Sequence, residues 1–303
     1  MRFGPVTLVE IGGHGPEDVV LDAEGRIYTG VDDGRILRHT ADGRGAETIA
    51  DTGGRPLGLE LYGDDELLIC DARAGLLVVP LAGGKPKTLA TSALGLDFVF
   101  CNNAAVAADG TVYFTDSSRR FGIDNWRDDL IEQTAGGRLL RRTPDGAIDL
   151  VLDGLQFANG VALAPDESFV AVAETGACRV TRAWLDDGRS DVLVDDLPGF
   201  PDNISTGTDG LIWITQASPR VAALDVVRRL PAFARAGVRA LPTWLQPRPG
   251  REVGVLGVAA DGKVEHELRG TIDGFHMLVG VREWRGQLYF GSLEESKIAV
   301  TRV

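Results

Sequence analysis

Four side chains with oxygen donors occur at one recurring place in this sequence. The sequence has six repeated units, each with a tight turn. The residue eight positions before the second residue of that turn is an acid or an amide in four units, at Glu17, Asn102, Asn159 and Asp202. Carboxylate and amide oxygens suit Ca²⁺, which accepts relaxed geometry, and this set contains no thiolate or imidazole for a softer metal. Turn chemistry alone can explain one Asn or Asp before a strand. Four at the same register indicate a shared divalent-cation site.

The elements that must position these side chains repeat along the chain. Each unit has a short apolar strand, a turn with Asp and Gly, and a second strand rich in aromatic and β-branched residues. The clearest copies cover 19–30, 104–115 and 204–215, and further strands follow in several units. Four antiparallel strands repeated about six times predict an all-β, six-bladed β-propeller. A sandwich does not require such regular units, and a parallel α/β fold would need helices between the strands.

The spacing of the units locates two insertions. The two remaining counted positions carry leucine, Leu57 and Leu278, and successive starts are separated by 40, 45, 57, 43 and 76 residues. The additional residues in the two longest spacings lie at 117–137 and 217–251, in each case between the second and third strands of the unit. We expect both to be lid-like insertions over the face that carries the ring, with a short helical insertion at about 221–241.

The last unit is too short to form a blade by itself. Residues 278–303 are fewer than four strands need, whereas the residues before the first counted position include an apolar segment at 6–10. We therefore expect the N-terminal strand to complete the last blade, which removes an open sheet edge. The whole chain, 1–303, then forms a single domain.

Aromatic residues accompany the oxygen donors. Phe100 and Phe200 each precede a counted position by two residues, Phe121 and Trp126 lie in the first insertion, and His276 stands near the start of the last unit. With a polar floor, an apolar wall of this kind is typical of a small-molecule pocket, so we expect these five side chains to contact substrate. The alternatives are phenylalanines that pack between blades and a histidine that is hydrogen-bonded beside the channel.

Composition excludes several classes of partner. The 303 residues carry a formal net charge of −13, which disfavours nucleic acid and anionic membranes, because both need a basic surface. No apolar run is long enough to span a bilayer and no signal peptide is apparent. The three cysteines, Cys70, Cys101 and Cys178, lack the spacing of a zinc or redox motif. We expect a cytoplasmic protein with reduced cysteines that acts on a small molecule.

Several segments together resemble a known family. The chain resembles the strictosidine-synthase-like branch of the six-bladed calcium-dependent propellers, whose relatives include the gluconolactonase (senescence-marker) proteins and the paraoxonases. The proline-glycine-phenylalanine-proline-aspartate-asparagine run at 198–203 is the most specific segment. The other matching segments span nearly the whole chain, at 15–18, 28–35, 113–118, 159–163, 173–175, 184–185 and 286–292.

The resemblance implies roles for individual residues. The family's metal ligands, a Glu, two Asn and an Asp at blade starts, fall on Glu17, Asn102, Asn159 and Asp202. Asp202 would also serve as general base or nucleophile, and Asn159 would orient substrate and metal, so these two are the expected catalytic residues. Asn103 stands where the family commonly has Asp, and we expect it to contribute to substrate binding.

The implied reaction is hydrolysis of a lactone or other ester, with Ca²⁺ or another divalent cation polarising the carbonyl. The plant alkaloid enzymes of this family condense an amine with an aldehyde and use a Glu at the start of the last blade. This chain has Val279 there, which disfavours the condensation. The other alternative is a metal-stabilised propeller that binds a ligand or partner without catalysis.

Overall fold

The described residues form six four-stranded antiparallel sheets, one small hairpin and a few short helices. In the computed structural model, which describes residues 2–40, 45–242, 246 and 248–303, the innermost strand of each sheet contacts the innermost strands of both neighbouring sheets. The first and sixth sheets also meet in this way, so the sheets form a closed ring. The prediction of an all-β, six-bladed β-propeller is confirmed.

The strands follow the blades in chain order after the N-terminal strand β1 (Thr7–Glu10). The first blade contains β2 (Val20–Leu21), β3 (Ile27–Gly30), β4 (Arg35–His39) and β5 (Ala46–Asp51). The second contains β6 (Pro56–Tyr62), β7 (Glu66–Asp71), β8 (Gly75–Pro80) and β9 (Lys87–Ala90), and a small hairpin of β10 (Ser92–Ala93) and β11 (Leu96–Asp97) follows it. The third contains β12 (Cys101–Val106), β13 (Val112–Asp116), β14 (Gly137–Arg142) and β15 (Ile148–Leu155).

The second half of the ring has the same plan. The fourth blade contains β16 (Ala158–Leu163), β17 (Phe169–Glu174), β18 (Arg179–Trp184) and β19 (Ser190–Val194). The fifth contains β20 (Gly199–Thr206), β21 (Ile212–Pro219), β22 (Val253–Val258) and β23 (Val264–Gly270). The sixth contains β24 (Leu278–Trp284), β25 (Gln287–Ser292) and β26 (Lys297–Arg302), with β1 as its outermost strand.

The N-terminal strand closes the ring, as predicted. Strand β1 pairs antiparallel with β26, in a register that places Thr7 opposite Val300 and Glu10 opposite Lys297. The Lys297 ammonium lies 3.2 Å from the Glu10 carboxylate at the end of this pair. The last blade therefore combines the two ends of the described chain, and the edge of β26 is covered.

The Asp-Gly pairs of the repeat form the hairpin turns between first and second strands. In the third blade, Asp109 Oδ1 accepts the backbone N–H of Thr111 at 2.8 Å. Gly110 then has a φ of +84°, a left-handed conformation that side chains disfavour. This Asp-Gly pair thus fixes the hairpin that carries the innermost strand of the third blade.

Both insertions contain helices, and the helices pack together. They are α1 (Trp126–Glu132) in the first insertion and α2 (Ala222–Arg228) and α3 (Ala232–Arg239) in the second. The Glu132 carboxylate accepts hydrogen bonds from Arg235 at 3.1 Å and Arg239 at 3.0 Å, and Arg228 Nε donates to the Leu130 carbonyl at 2.8 Å. The insertions are therefore one helical cap. Among the described residues, no helix is long and apolar enough to cross a membrane.

A β-bulge near the start of the innermost strand displaces two residues in five of the six blades. In β12 the register shifts between Cys101 and Ala104, so that Asn102 and Asn103 lie between two ladder pairs. The equivalent pairs in the other blades are Leu57 with Gly58, Asn159 with Gly160, Asp202 with Asn203 and Val279 with Gly280. Bulges re-aim side chains. Glu17 and Asp18 take the corresponding place just before β2 in the first blade.

These pairs define two rings around the channel. The upper ring, nearer the helical cap, consists of Glu17, Leu57, Asn102, Asn159, Asp202 and Val279. The lower ring consists of the residues that follow them, Asp18, Gly58, Asn103, Gly160, Asn203 and Gly280.

The assignment of Leu278 as the sixth counted position is wrong. Leu278 pairs with Ser292 and packs in a buried cluster with Phe275 and Phe290, whereas Val279 lies in the upper ring. The sixth blade turns in only two residues, Arg285 and Gly286, because Trp284 already pairs with Gln287. A shorter turn makes a fixed count overshoot by one residue.

Candidate functional site

The upper ring forms the floor of a cavity under the helical cap. All six upper-ring residues line one space of about 420 Å³. The structure therefore brings together Glu17, Asn102, Asn159 and Asp202, which lie far apart in the sequence, while Leu57 and Val279 complete the circle. Glu17, Asn102 and Asn159 are buried and Asp202 is half-buried. Their role as metal ligands stays a prediction.

Buried carboxylates at the ends of second strands hold the chain that leads into the ring. Asp116 Oδ1 accepts the backbone N–H groups of Val99, at 3.2 Å, and Phe100, at 2.8 Å, just before β12. Its other oxygen accepts a hydrogen bond from the buried Arg138 guanidinium at 2.6 Å. Glu174 holds the backbone N–H of Gln156 before β16 in the same way, at 2.9 Å. These bonds fix where each innermost strand begins.

Hydroxyl groups orient the two amides of the upper ring. Asn159 Nδ2 donates to Thr175 Oγ1 at 3.1 Å, and Thr175 donates its own hydroxyl proton to the Pro201 carbonyl at 2.7 Å. The hydroxyl of Thr175 can therefore only accept from Asn159, which sets the amide orientation. Asn102 Nδ2 lies 2.9 Å from Ser117 Oγ in the equivalent contact. Within the described residues, Oδ1 of Asn102 and Oδ1 of Asn159 are buried and have no hydrogen-bond partner.

Burial raises the proton affinity of the ring carboxylates. It raises the pKa of Glu17 well above its ordinary value, and the charges of Asp202 and Asp18 raise it further, while Arg55 opposes them. Burial also raises the pKa of Asp202 to about 7; the charge of Asp18 adds to this, and a hydrogen bond from Asn159 opposes it. Both carboxylates thus lack the solvation that an ionised acid needs.

The chemistry of this donor set fits a divalent cation. Two unpaired amide oxygens and two poorly solvated carboxylates face one space, and a hard cation such as Ca²⁺ would satisfy all four. Within the described parts of the chain, no group of three His, Cys, Asp or Glu side chains is placed to share a metal ion. A cation at this floor would therefore depend on the amide oxygens of Asn102 and Asn159 as well as on the carboxylates.

Asn103 lies in the lower ring and does not line the cavity. Its Oδ1 accepts the backbone N–H of Val161 at 2.9 Å, and its Nδ2 donates to Asp18 Oδ2 at 3.3 Å. Asp18 Oδ2 also accepts the backbone N–H of Leu59 at 3.1 Å. The Asp18 side chain passes over Gly58 to bond the second blade, and the Asn103 side chain passes over Gly160 to bond the fourth. These contacts therefore join neighbouring blades. Both polar atoms of Asn103 are thus bonded within the protein, and its expected contact with substrate stays a prediction.

The lower ring alternates polar residues with glycine. A Cβ atom on Gly160 would lie 2.2 Å from the backbone nitrogen of Ile204 and 2.5 Å from the Cα of Asn203. Glycine is therefore required where neighbouring inner strands approach each other. Asn203 connects the two rings, because its Nδ2 donates to Glu17 Oε2 at 3.1 Å.

Most of the predicted apolar wall surrounds the cavity. Phe100 lines the upper-ring cavity and packs edge-to-face on Phe157, with ring centroids 5.4 Å apart. Phe200 lines an adjoining apolar cavity of about 630 Å³ beneath α1 and α2, and Trp126 lines both spaces. The two cavities also share Asp202, so the apolar space opens directly onto the ring.

Two of the predicted substrate contacts lie elsewhere. Phe121 is buried inside the helical cap, with the Arg239 guanidinium 4.7 Å from its ring centre. His276 lies at the outer rim, where Nε2 is 3.1 Å from the Glu294 carboxylate and Nδ1 contacts the Glu295 carboxylate. Neither lines the upper-ring cavity.

Sequence reasoning missed several residues at this site. Ser117 and Thr175 orient the amides, and the buried Arg55 places a positive charge beside Glu17. Met277, which the sequence also did not single out, lines the cavity with left-handed backbone at a φ of +48°. Ser117 and Thr175 each follow the buried carboxylate that ends a second strand, and this repeated placement was the available signal.

Curated relatives match most of the chain, and two family models match parts of it. The strictosidine synthase model matches residues 102–188, and the strictosidine synthase-like N-terminal model matches residues 5–39. Protein STRICTOSIDINE SYNTHASE-LIKE 6 of Arabidopsis thaliana is 32% identical over 290 residues, which cover 93% of this chain and 77% of that protein. An adipocyte plasma membrane-associated protein of Salmo salar is 34% identical over 254 residues, 77% of this chain and 58% of that protein.

Solved structures share the propeller. A gluconolactonase of Xanthomonas campestris has a TM-score of 0.71 at 17% identity, with 99% of this chain and 91% of that chain covered. Regucalcin of Agrobacterium tumefaciens, a calcium-binding protein, has a TM-score of 0.66 at 14% identity, with 99% and 94% covered. At such identities the likeness shows the fold alone.

Proposed function

This chain belongs to the strictosidine synthase-like family, and we propose that it is a divalent-cation-dependent hydrolase of a lactone or another carboxylic ester. The observation that carries the proposal is the pair of buried amide oxygens, on Asn102 and Asn159, that have no partner among the described residues. They lie on the cavity floor beside the carboxylates of Glu17 and Asp202. An unsatisfied buried acceptor costs about 1–3 kcal/mol, which binding of a cation would offset.

A cation bound at this floor, most simply Ca²⁺, would polarise the ester carbonyl and stabilise negative charge on its oxygen. Glu17, Asn102, Asn159 and Asp202 are the residues that would hold it. Asn102 and Asn159 are preset for this by Ser117 and Thr175, so their oxygens need no reorientation when a ligand arrives.

Asp202 is the residue that we assign to proton transfer. Water adds to the carbonyl carbon, the bond between that carbon and the alcohol oxygen breaks, and one proton passes from the water to the departing alcohol. Asp202 is the ring carboxylate that lines both cavities. It can therefore take up the water proton and release it to the alcohol.

The apolar surroundings suit an ester. Phe100, Phe157 and Trp126 border the ring, and the larger adjoining cavity accepts the rest of an acyl chain. Val279 supports hydrolysis over amine–aldehyde condensation, because it presents an isopropyl group where a proton-accepting carboxylate would be needed. Relatives with the same propeller include a gluconolactonase and a calcium-binding protein, in agreement with this proposal.

The test is hydrolysis of γ-lactones, δ-lactones and aryl esters by purified protein, with and without Ca²⁺. We expect turnover that a chelator abolishes and that Asp202→Asn loses. Asp64→Asn, which makes the same change at an exposed turn, is the matched control and should retain full activity. If the wild type binds Ca²⁺ but turns over no ester or lactone beyond the Asp202→Asn background, the protein is instead a metal-stabilised binding propeller.

A further inference from the structure

A cluster of three arginines lies at the outer rim of the pocket. Arg127, Arg248 and Arg251 line an open hollow of about 810 Å³, together with Met277 and Glu294. Arg127 belongs to α1 of the first insertion, whereas Arg248 and Arg251 belong to the second. Two separate segments thus bring positive charge to one place on a chain whose formal net charge is −13.

Among the described residues, only one of the three arginines of this cluster is paired with a carboxylate. The nearest contact is between Arg127 and Glu294, at 3.9 Å, and the Glu294 carboxylate is shared with His276, whose Nε2 lies 3.1 Å from it. In the part of the chain that the structure describes, Arg248 and Arg251 form no ion pair, and both are exposed. The rim therefore has free guanidinium groups, which bind carboxylates and phosphates well.

The rim continues into the apolar cavity. Arg127, Pro249 and Met277 line both the hollow and the apolar cavity of about 630 Å³. That cavity in turn shares Trp126, Asp202 and Met277 with the upper-ring cavity. A continuous path therefore runs from the reacting floor, past Leu130 and Phe200, to the guanidinium groups.

We propose that the substrate is an amphipathic anion: an ester or lactone with an apolar chain whose far end carries a carboxylate or phosphate that Arg127, Arg248 and Arg251 bind. The inference rests on the proposed function, since it places the reacting carbonyl at the upper ring. A neutral polar or cationic far end is disfavoured, because it would leave the guanidinium groups unpaired or repelled.

The direct test compares three p-nitrophenyl esters that differ at the far end of the acyl chain. The mono-p-nitrophenyl ester of suberic acid ends in a carboxylate, its methyl ester is neutral, and the 8-aminooctanoate ester ends in an ammonium group. A partly exposed ion pair contributes about 1 kcal/mol, so we expect kcat/KM to favour the carboxylate over the methyl ester by about 5-fold. The ammonium ester should be the poorest substrate.

The double variant Arg127→Gln/Arg251→Gln should remove the preference for the carboxylate ester over the methyl ester. Arg302→Gln, an exposed arginine on β26, is the matched control and should keep the preference. Added salt should weaken the carboxylate preference in the wild type only. Equal rates on all three esters, or a preference that survives in the double variant, would overturn the inference while leaving the hydrolase assignment intact.

A phosphate-ended analogue of the same length identifies the anion. A larger preference for phosphate than for carboxylate, lost in the double variant, would assign a phosphorylated substrate; the reverse order would assign a carboxylic acid.

A binding measurement distinguishes the arginine site from the hydrolase assignment. Calorimetry compares the affinity for suberamic acid, which ends in a carboxylate, with that for octanamide, which does not. Tighter binding of suberamic acid by wild type only, without turnover of any ester, would support the arginine site and contradict the hydrolase. Equal binding of the two amides would contradict the arginine site.

Discussion

The upper and lower rings occupy neighbouring positions on the same strands, but their polar atoms are used differently. Asn102 and Asn103 are adjacent and chemically identical. In the upper ring, Asn102 Oδ1 is buried without a partner among the described residues, whereas in the lower ring Asn103 uses both polar atoms to join three blades. Unsatisfied buried acceptors are rare and costly. Asn203 Oδ1 in the lower ring is also buried without a partner among the described residues, so the contrast is between these two asparagines: Asn103 joins blades, whereas Asn102 keeps an oxygen for a ligand.

The largest expected effect is on catalysis by the upper ring. Asp202→Asn should lower kcat/KM for a lactone or aryl ester by about 10²–10⁴-fold, because the side chain can no longer accept a proton. Stopped assays on wild type and variant measure the ratio, and circular dichroism checks that both are folded. An Asp202→Asn enzyme with near-wild-type kcat/KM would remove Asp202 from the reaction.

The second effect is stabilisation by the cation. At a Ca²⁺ concentration of 100 times Kd, the free energy of unfolding should rise by about 2.7 kcal/mol. The double variant Asn102→Ala/Asn159→Ala removes both unpaired oxygens and should lose this gain while staying folded without Ca²⁺. Thermal unfolding with and without Ca²⁺ measures this stabilisation in both proteins. An equal increase in the free energy of unfolding in wild type and double variant would show that Ca²⁺ binds elsewhere.

The third effect belongs to the lower ring. Asn103→Ala leaves the buried Val161 N–H without its partner and removes one of the two hydrogen bonds to Asp18 Oδ2, so it should lower the free energy of unfolding by about 1–3 kcal/mol. Its Ca²⁺ affinity should stay close to that of wild type. Urea denaturation and calorimetric Ca²⁺ titration give the two quantities. A stable Asn103→Ala protein with weakened substrate binding would instead place Asn103 in the substrate site.

The smallest effect concerns the orientation of the amides. Ser117→Ala removes the hydrogen-bond partner of Asn102 Nδ2, and the loss of about 0.5–1.5 kcal/mol should weaken Ca²⁺ affinity by about 2- to 10-fold. Ser168→Ala, at an exposed turn of the fourth blade, is the control and should bind Ca²⁺ normally. Unchanged affinity in Ser117→Ala would mean that Asn102 needs no orientation from Ser117.

Hydrophobic periodicity and turn chemistry were sufficient to predict the propeller. Tight turns rich in acidic residues and glycine mark the first hairpins, and the additional residues at 117–137 and 217–251 mark the helical cap. Closure by the N-terminal strand followed from residue counting, because the last unit lacks a fourth strand. Counting failed only where turn length changed, at the two-residue turn of Arg285 and Gly286.

The finer structure of the site depends on features that periodicity does not encode. A register count assumes a regular strand and cannot separate Asn102 from Asn103, because a bulge sends the two side chains into different environments. The position of His276 is set by Glu294 and Glu295, which follow the last blade's second strand. Phe121 is buried by packing of one insertion on the other. The alternation of Asp18, Asn103 and Asn203 with glycines was visible in the sequence and marks the lower ring.

The most direct test of the proposed cation site is anomalous diffraction from crystals grown with Ca²⁺, with Mn²⁺ as a stronger-scattering replacement. The proposal predicts one anomalous peak on the channel axis, within ligand distance of Glu17, Asn102, Asn159 and Asp202. A channel that holds only water between these four side chains at millimolar Ca²⁺, in protein that hydrolyses esters, would contradict it.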